Sequence, residues 1–388
     1  MFLPSLEKYN PKLIDVAVKL HRDGQILPDT YVIDLDALTE NTKKMVRVAK
    51  KNNIELLYMT KQMGRNPVIA HTIEEAGIPT AVVVDFREAE TFMNNHLHIG
   101  NVGNLVQMPR TIVKRILNYG TKYVTVYSLS NLKYINEIAK EIGIRQKVIL
   151  KVIGKNDTLY PGQVGGLTLT EFNKNFKEIT SLSNIELVGI TVFPALLFDS
   201  DKQSIEPTSN LKTIEDVEKI FKINNYPLKV LSLPSATCCN SIPLIKKLHG
   251  TEGEPGHGLT GTTPLHSVSK QPEIPAYCYV SEISHSFNGH SYFYGGGYYR
   301  RGHLHNAIIS DGSKQEHAKV LPFDKENIDY YLELNKQFDE GDTVICAFRT
   351  QIFVTRSLVA LVKGIQTDNP QLIGLYDSQG RKMPERML

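Results

Sequence analysis

The sequence predicts an α/β protein, a TIM-type (β/α)8 barrel followed by a C-terminal, mostly β domain. Three observations carry this. Apolar runs alternate with amphipathic stretches over the first two thirds of the chain, the pattern of parallel strands joined by right-handed helical crossovers. After about His266 short β-rich runs separated by turn residues take over. The 388 residues are enough for one large barrel with an appendage.

The expected divisions are a lead-in over 1–30, the barrel over 31–265 and the β domain over 266–388. A helix is expected over Asn10–Asp23, ended by Leu27-Pro28-Asp29. Strand-like runs follow at Tyr31–Leu35, Ile54–Thr60, Thr80–Asp85, Asn101–Val106, Tyr123–Tyr127, Val148–Ile153, Ile185–Val192 and Val230–Leu233, with a short one near Leu259. Nine strands are one too many for the barrel, so the first is assigned elsewhere. Amphipathic stretches lie between them at Leu38–Ala49, Pro67–Ala76, Pro109–Leu117, Asn131–Ile142 and Thr213–Ile220. Asn66-Pro67 is a helix start, with an N-cap residue and proline at the first helical position. In the second domain, strands are expected at Ala276–Ile283, Ser291–Tyr294, Ala307–Ser310, Thr343–Phe348 and Leu358–Val362. Turns are expected at Asn288-Gly289 and Asp311-Gly312, and one helix over Asn327–Phe338.

Hydrophobic residues at 41% and charged residues at 22% are those of a globular enzyme. A net charge of +3, from 44 basic and 41 acidic residues, argues for neither nucleic acid nor an anionic membrane as partner. No apolar window approaches the ~20 residues needed to cross a bilayer. Four cysteines without C-x-x-C spacing suit a reducing compartment, so the expected location is cytoplasmic.

Lys61 ends the apolar run Ile54–Thr60, where a buried strand gives way to a loop. A partly desolvated lysine there can act as a nucleophile toward an aldehyde, while the plain alternative is a lysine snorkelling from a strand end. Side chains just beyond the C-terminal ends of barrel strands build active sites, and phosphates favour the loops after strands 7 and 8. With the Lys61 strand as strand 1, Ser235-Ala236-Thr237 follows strand 7 and Glu254-Pro255-Gly256-His257-Gly258 lies at strand 8. Hydroxyls and glycine-flanked N–H groups cradle phosphate, although Ser235 and Thr237 could equally cap a helix. A Schiff-base lysine with a phosphate cradle fits pyridoxal 5'-phosphate.

Several motifs resemble alanine racemase and its fold-type III relatives. Tyr31–Asn41 is similar to the opening of those enzymes, Tyr58-Met59-Thr60-Lys61 to their lysine-bearing strand, and Val148–Val152 to a following strand. Glu254-Pro255-Gly256 falls where the family binds the pyridine nitrogen and the cofactor phosphate. The likeness covers about Tyr31–Pro264, and Met59–Pro67 resembles the lysine motif of the YhfX-type branch.

The resemblance implies that Lys61 holds pyridoxal phosphate and that Gly256, His257, Ser235 and Thr237 surround it. Glu254 would face the ring nitrogen, where alanine racemase has an arginine and related decarboxylases a Glu-Pro-Gly. Arg65 stands within a segment that departs from alanine racemase and would contact the phosphate, with a solvated arginine as the alternative. Tyr294-Gly295-Gly296-Gly297-Tyr298-Tyr299-Arg300-Arg301 resembles the stretch carrying the second catalytic base. Tyr294 falls on that tyrosine, with Tyr298 and Tyr299 as alternatives. In the family it reaches a neighbouring subunit's site, implying a homodimer with composite active sites.

The expected function is a pyridoxal-phosphate-dependent amino-acid racemase whose substrate is not alanine. A lyase on the same scaffold is the alternative, and a non-catalytic cofactor carrier a third. The decarboxylases' Cys-x-x-x-Asp segment is missing, since Cys278 is followed by Tyr279-Val280-Ser281-Glu282. His303-Leu304-His305 puts two imidazoles on one face of a strand, as a metal site needs, but no metal is expected; His96-Leu97-His98 is read as a polar loop. Arg349 and Arg356, in an apolar β segment, could each bind a carboxylate or pair internally.

Overall fold

The computed structural model describes residues 1–384, so the last part of the expected β domain, 385–388, lies outside the described residues. The chain forms two compact units. One comprises Lys44–Met59 and Ile73–Gly256, the other Met1–Lys43, Thr60–Thr72 and His257–Leu388.

The first unit is built on eight parallel strands in chain order: Glu55–Leu56, Ala81–Val83, Ile99–Val102, Tyr123–Val126, Gln146–Ile153, Ile185–Thr191, Val230–Ser232 and Glu252–Gly253. Neighbours in sequence are neighbours in the sheet, and the last strand pairs with the first through Glu252↔Glu55 and Gly253↔Leu56. The ring closes between the first two strands. There Tyr58 bridges Ala81, the Tyr58 N–H donates to the Thr80 carbonyl at 3.1 Å, and the Val82 N–H donates to the Tyr58 carbonyl at 2.8 Å. This is a barrel, and closure leaves it without edges. Its apolar filling includes Tyr123, Ile149, Val188 and Val230 in one cluster, and Leu57, Met59 and Val82 in another.

The eighth strand is Glu252–Gly253, and the strand expected near Leu259 is not formed. Two residues are too few for an alternating pattern to show in the sequence. Helices at Phe86–Asn94, Leu169–Ser181 and Ile242–Lys247 join those expected. The first starts at Asp85, whose carboxylate accepts the Glu88 N–H at 2.8 Å. The Asn66 cap forms as its sequence implies, with Oδ1 accepting from the N–H groups of Val68 at 2.9 Å and Ile69 at 3.2 Å.

In the second unit a long sheet runs in the order Gln315–Lys319, Asn306–Ser310, Thr343–Cys346, Tyr277–Phe287, Thr30–Asp34, Leu358–Lys363, Gln371–Asp377. The early strand Thr30–Asp34 sits here, antiparallel to Tyr277–Phe287 and parallel to Leu358–Lys363, as the surplus-strand argument requires. Helix Pro11–Arg22 turns Leu13, Ile14, Ala17 and Val18 onto Val32, Cys278, Val280 and Ile345 of this sheet. A hairpin joins Tyr277–Phe287 to His290–Tyr294 through Asn288 (φ 52°) and Gly289 (φ 81°), the left-handed pair that a tight Asn-Gly turn needs.

Two expectations fail here. Asn327–Phe338 is not a helix, because Tyr331–Glu333 is a strand paired with His290–Tyr294. His303-Leu304-His305 is not a strand, because His303 takes a left-handed φ of 55° that breaks the side-chain alternation. The edge strand Gln315–Lys319 escaped the sequence reading because it is polar and mostly exposed, with no apolar rhythm.

Candidate active site

Polar groups gather in the barrel unit at the C-terminal ends of strands 3, 7 and 8. Glu254 directly follows strand 8 and is buried. Asn104 Nδ2 donates to both of its carboxylate oxygens, at 3.0 and 2.8 Å, and Ser232 Oγ donates to Oε1 at 3.4 Å. The Glu254 N–H donates to Thr237 Oγ1 at 3.1 Å, tying the end of strand 8 to the loop after strand 7. Both oxygens accept from neutral donors, which sets the group as a fixed acceptor.

Asn104 is fully buried, and its Oδ1 has no hydrogen-bond partner among the described residues. It is held by its backbone, whose carbonyl accepts from the Tyr127 hydroxyl. The turn before it requires Gly103 (φ 92°), where a Cβ would come within 2.5 Å of the Thr125 carbonyl. Tyr127 also offers its ring to Lys151, whose Nζ lies 4.6 Å from the ring centroid and donates to the Gln163 carbonyl at 3.2 Å. Lys151 is 1% exposed, and burial lowers its pKa to about 8.

The loop after strand 7 is strained. Ser235 (φ 96°) and Ala236 (φ 50°) are consecutive non-glycine residues in the left-handed region, a conformation that costs free energy and persists only where the surrounding structure holds it. Ser235 Oγ donates to the Leu196 carbonyl and accepts the Leu196 N–H at 3.3 Å, while Thr237 accepts from Glu254. Their hydroxyls therefore shape the loop in this structure.

In the β-rich unit, Lys61 opens a single turn of 3-10 helix, Lys61–Met63, closed by Gly64 in the left-handed conformation (φ 75°). Thr350 Oγ1 donates to the Gln62 carbonyl at 3.0 Å and anchors this turn. Lys61 itself is half-buried. His257 lies in the same unit, and burial, then the charges of Arg349, Lys61 and His266, hold its pKa well below 6.5, so the ring is neutral. Arg65, expected at a phosphate, donates from Nη1 to Gln379 Oε1 at 2.9 Å and lies 4.7 Å over the Phe353 ring.

The glycine-rich segment is packed on buried tyrosines. Tyr31 donates to the Gly297 carbonyl at 2.6 Å, and Tyr279 donates to the Tyr294 carbonyl at 2.9 Å. A Cβ on Gly297 would meet the Tyr279 ring at 2.3 Å, so no other residue fits there. Tyr294 is half-buried at the end of its strand, with its ring centroid 5.7 Å from that of Tyr331. Tyr298 packs on Phe323 and Phe348 at 5.0 and 5.8 Å. Burial pushes the thiols of Cys278 and Cys346 up, and all four cysteines are buried and unbridged.

A closed parallel barrel with a carboxylate fixed beyond strand 8, preceding a β domain, defines a class of fold to which known proteins can be compared. Residues 33–264 match the alanine racemase N-terminal domain, and residues 278–372 match the YhfX-like C-terminal domain. The chain belongs to this alanine racemase-like family. It is 40% identical over 385 residues to the protein YhfX of Escherichia coli K12, covering 99% of this chain and 100% of that one. Among solved structures, alanine racemase of Clostridium difficile 630 superposes with a TM-score of 0.65 at 18% identity, over 91% of this chain and 99% of that one. D-Threonine aldolase of Filomicrobium marinum gives 0.67 at 13% identity, over 91% and 95%. Diaminopimelate decarboxylase of M. jannaschii, in complex with L-lysine, gives 0.64 at 13% identity, over 95% and 92%. These likenesses define the fold, and the relatives sharing it include an isomerase and lyases.

Asn104, Ser232, Tyr127 and Lys151 were not identified as site residues from the sequence. Lys151 left a signal, a charge inside the apolar strand Val148–Ile153. Asn104 left none, because a polar residue after a glycine in a loop is unremarkable.

Proposed function

We propose that this chain is a pyridoxal-phosphate-dependent amino-acid racemase. The observation that carries the reading is the clamped carboxylate of Glu254, a buried acceptor with donors on both oxygens in a chain of this family. The described residues fit the cofactor. Lys61 supplies an amine at a half-buried turn, and Asn104 keeps an unpartnered Oδ1 beside Glu254. Gly256 and His257 supply backbone N–H groups in the strand-8 loop, and the strained Ser235–Thr237 loop adds more. When bound, pyridoxal phosphate draws into its ring the electron pair left at Cα by proton loss.

Lys61 would hold the cofactor through its amine, and the same amine, when free, would take or return the Cα proton on one face. Glu254 would accept a hydrogen bond from a protonated ring nitrogen, and Asn104 holds the carboxylate in a fixed direction. Tyr294, from the partner subunit of a homodimer, exchanges the proton on the opposite face, with Tyr298 and Tyr299 as the alternatives nearby. Two acid–base groups on opposite faces are what inversion of a stereocentre needs. Support against decarboxylation comes from Cys278, which is followed by Tyr279-Val280-Ser281-Glu282 rather than a Cys-x-x-x-Asp segment and is fully buried. The setting proposed is cytoplasmic, and no helix among the described residues is long and apolar enough to cross a membrane.

The test is to incubate the holoenzyme with D- and L-amino acids in deuterated water. Racemisation predicts deuterium at Cα and loss of optical rotation for one substrate. Release of carbon dioxide, ammonia or an aldehyde would move the assignment to a lyase.

A further inference from the structure

Arg349 and Arg356 are equivalent in the sequence, and the structure separates them. Arg356 is exposed and paired, donating from Nη1 to Asp329 Oδ2 and from Nη2 to the Asp329 carbonyl, both at 3.3 Å. Arg349 is half-buried, and no carboxylate among the described residues contacts its guanidinium. Its Nε–H donates to His257 Nε2 at 3.5 Å. That bond requires a lone pair on Nε2, so the His257 proton sits on Nδ1, which faces Thr262 Oγ1 at 3.5 Å.

The placement is fixed from two further directions. The Arg349 N–H donates to the Gly302 carbonyl at 3.0 Å, and the next residue, Thr350, holds the Gln62 carbonyl of the Lys61 turn. With Nε on the imidazole, the two Nη groups remain as a fork beside a turn that carries a second cation. A partly desolvated guanidinium without a counterion is unfavourable, and an anion relieves it. The neutral ring of His257 can steer this fork but cannot neutralise it.

We propose that Arg349 is an anion receptor, its Nη fork gripping the phosphate of a cofactor or the carboxylate of a substrate, with His257 orienting it. Naming those two sources rests on the reading above, while the receptor itself does not.

The proteins to compare are the wild type, Arg349→Gln, Arg349→Lys and Arg356→Gln. Without cofactor, inorganic phosphate should raise the melting temperature of the wild type and Arg356→Gln, each against its own phosphate-free baseline. Arg349→Gln should lose that rise. Arg349→Lys, which keeps the charge and loses the fork, should retain only part of it and guards against a misfolded glutamine variant. Visible titration with pyridoxal phosphate and with pyridoxal then identifies the source. A tenfold or greater loss of affinity for the phosphorylated form alone, in Arg349→Gln, assigns the phosphate. Unchanged cofactor affinity with a tenfold rise in KM for Cα exchange assigns the carboxylate. Wild-type behaviour of both Arg349 variants in the phosphate and cofactor measurements, with unchanged KM, overturns the proposal. If the wild type takes up no pyridoxal phosphate, the racemase reading fails, and the phosphate melting experiment still decides the role of Arg349.

Discussion

Two buried glutamates, Glu252 in the last barrel strand and Glu254 directly after it, are two residues apart and held in opposite ways. Glu254 has a donor on each oxygen. Glu252 leaves Oε1 without a hydrogen-bond partner among the described residues. Burial first, then the neighbouring Glu55 charge, raises its pKa to about 8, and Lys122 offsets this only in part because it pairs with Glu55. The same residue type at the same end of the barrel chain is thus a directed acceptor just after the strand and a protonated filler within it. Donor placement, rather than burial alone, distinguishes a directed carboxylate from a merely tolerated one.

Glutamine at each position tests that contrast. The larger effect is expected at Glu254→Gln, which keeps the shape and removes the charge proposed to face the ring nitrogen. Turnover in the Cα exchange assay should fall on the order of 10²-fold, the scale for losing one directed electrostatic contact. Activity within twofold of wild type would remove Glu254 from the mechanism.

At Glu252→Gln activity should hold, and the effect should appear in stability against pH. The folded state keeps the Glu252 proton up to about pH 8, whereas the unfolded chain releases it near 4.5. Between those values folding takes up a proton, so Glu252 makes stability fall as pH rises, by at most about 1.4 kcal/mol per pH unit. Urea midpoints at pH 6 and pH 8 should differ less in Glu252→Gln than in the wild type. An unchanged difference would mean that Glu252 is ionised in the fold.

Legibility followed the range of the interaction that decides each feature. Barrel order was readable because alternating runs and helix starts such as Asn66-Pro67 are local. The surplus first strand followed from counting, and its true partners Tyr277–Phe287 and Leu358–Lys363 lie hundreds of residues away. Glu254 was visible through its Pro-Gly context, but the Asn104 clamp spans 150 positions and has no sequence signature. Arg349 and Arg356 could not be separated in sequence for the same reason: Asp329 and His257 are tertiary partners. Where backbone conformation overrode a pattern, as at His303, the strand reading and the shared-face argument failed together.

The central claim is that Lys61 carries the cofactor, and the chain supplies its own competitor. Lys151 is a second lysine of the kind that forms imines, buried and with a pKa lowered to about 8. Borohydride reduction of the protein loaded with pyridoxal phosphate, followed by peptide mass mapping, separates the two. The account predicts a phosphopyridoxyl group on the peptide containing Lys61, lost in Lys61→Ala. Label on Lys151, or on neither lysine, would contradict it.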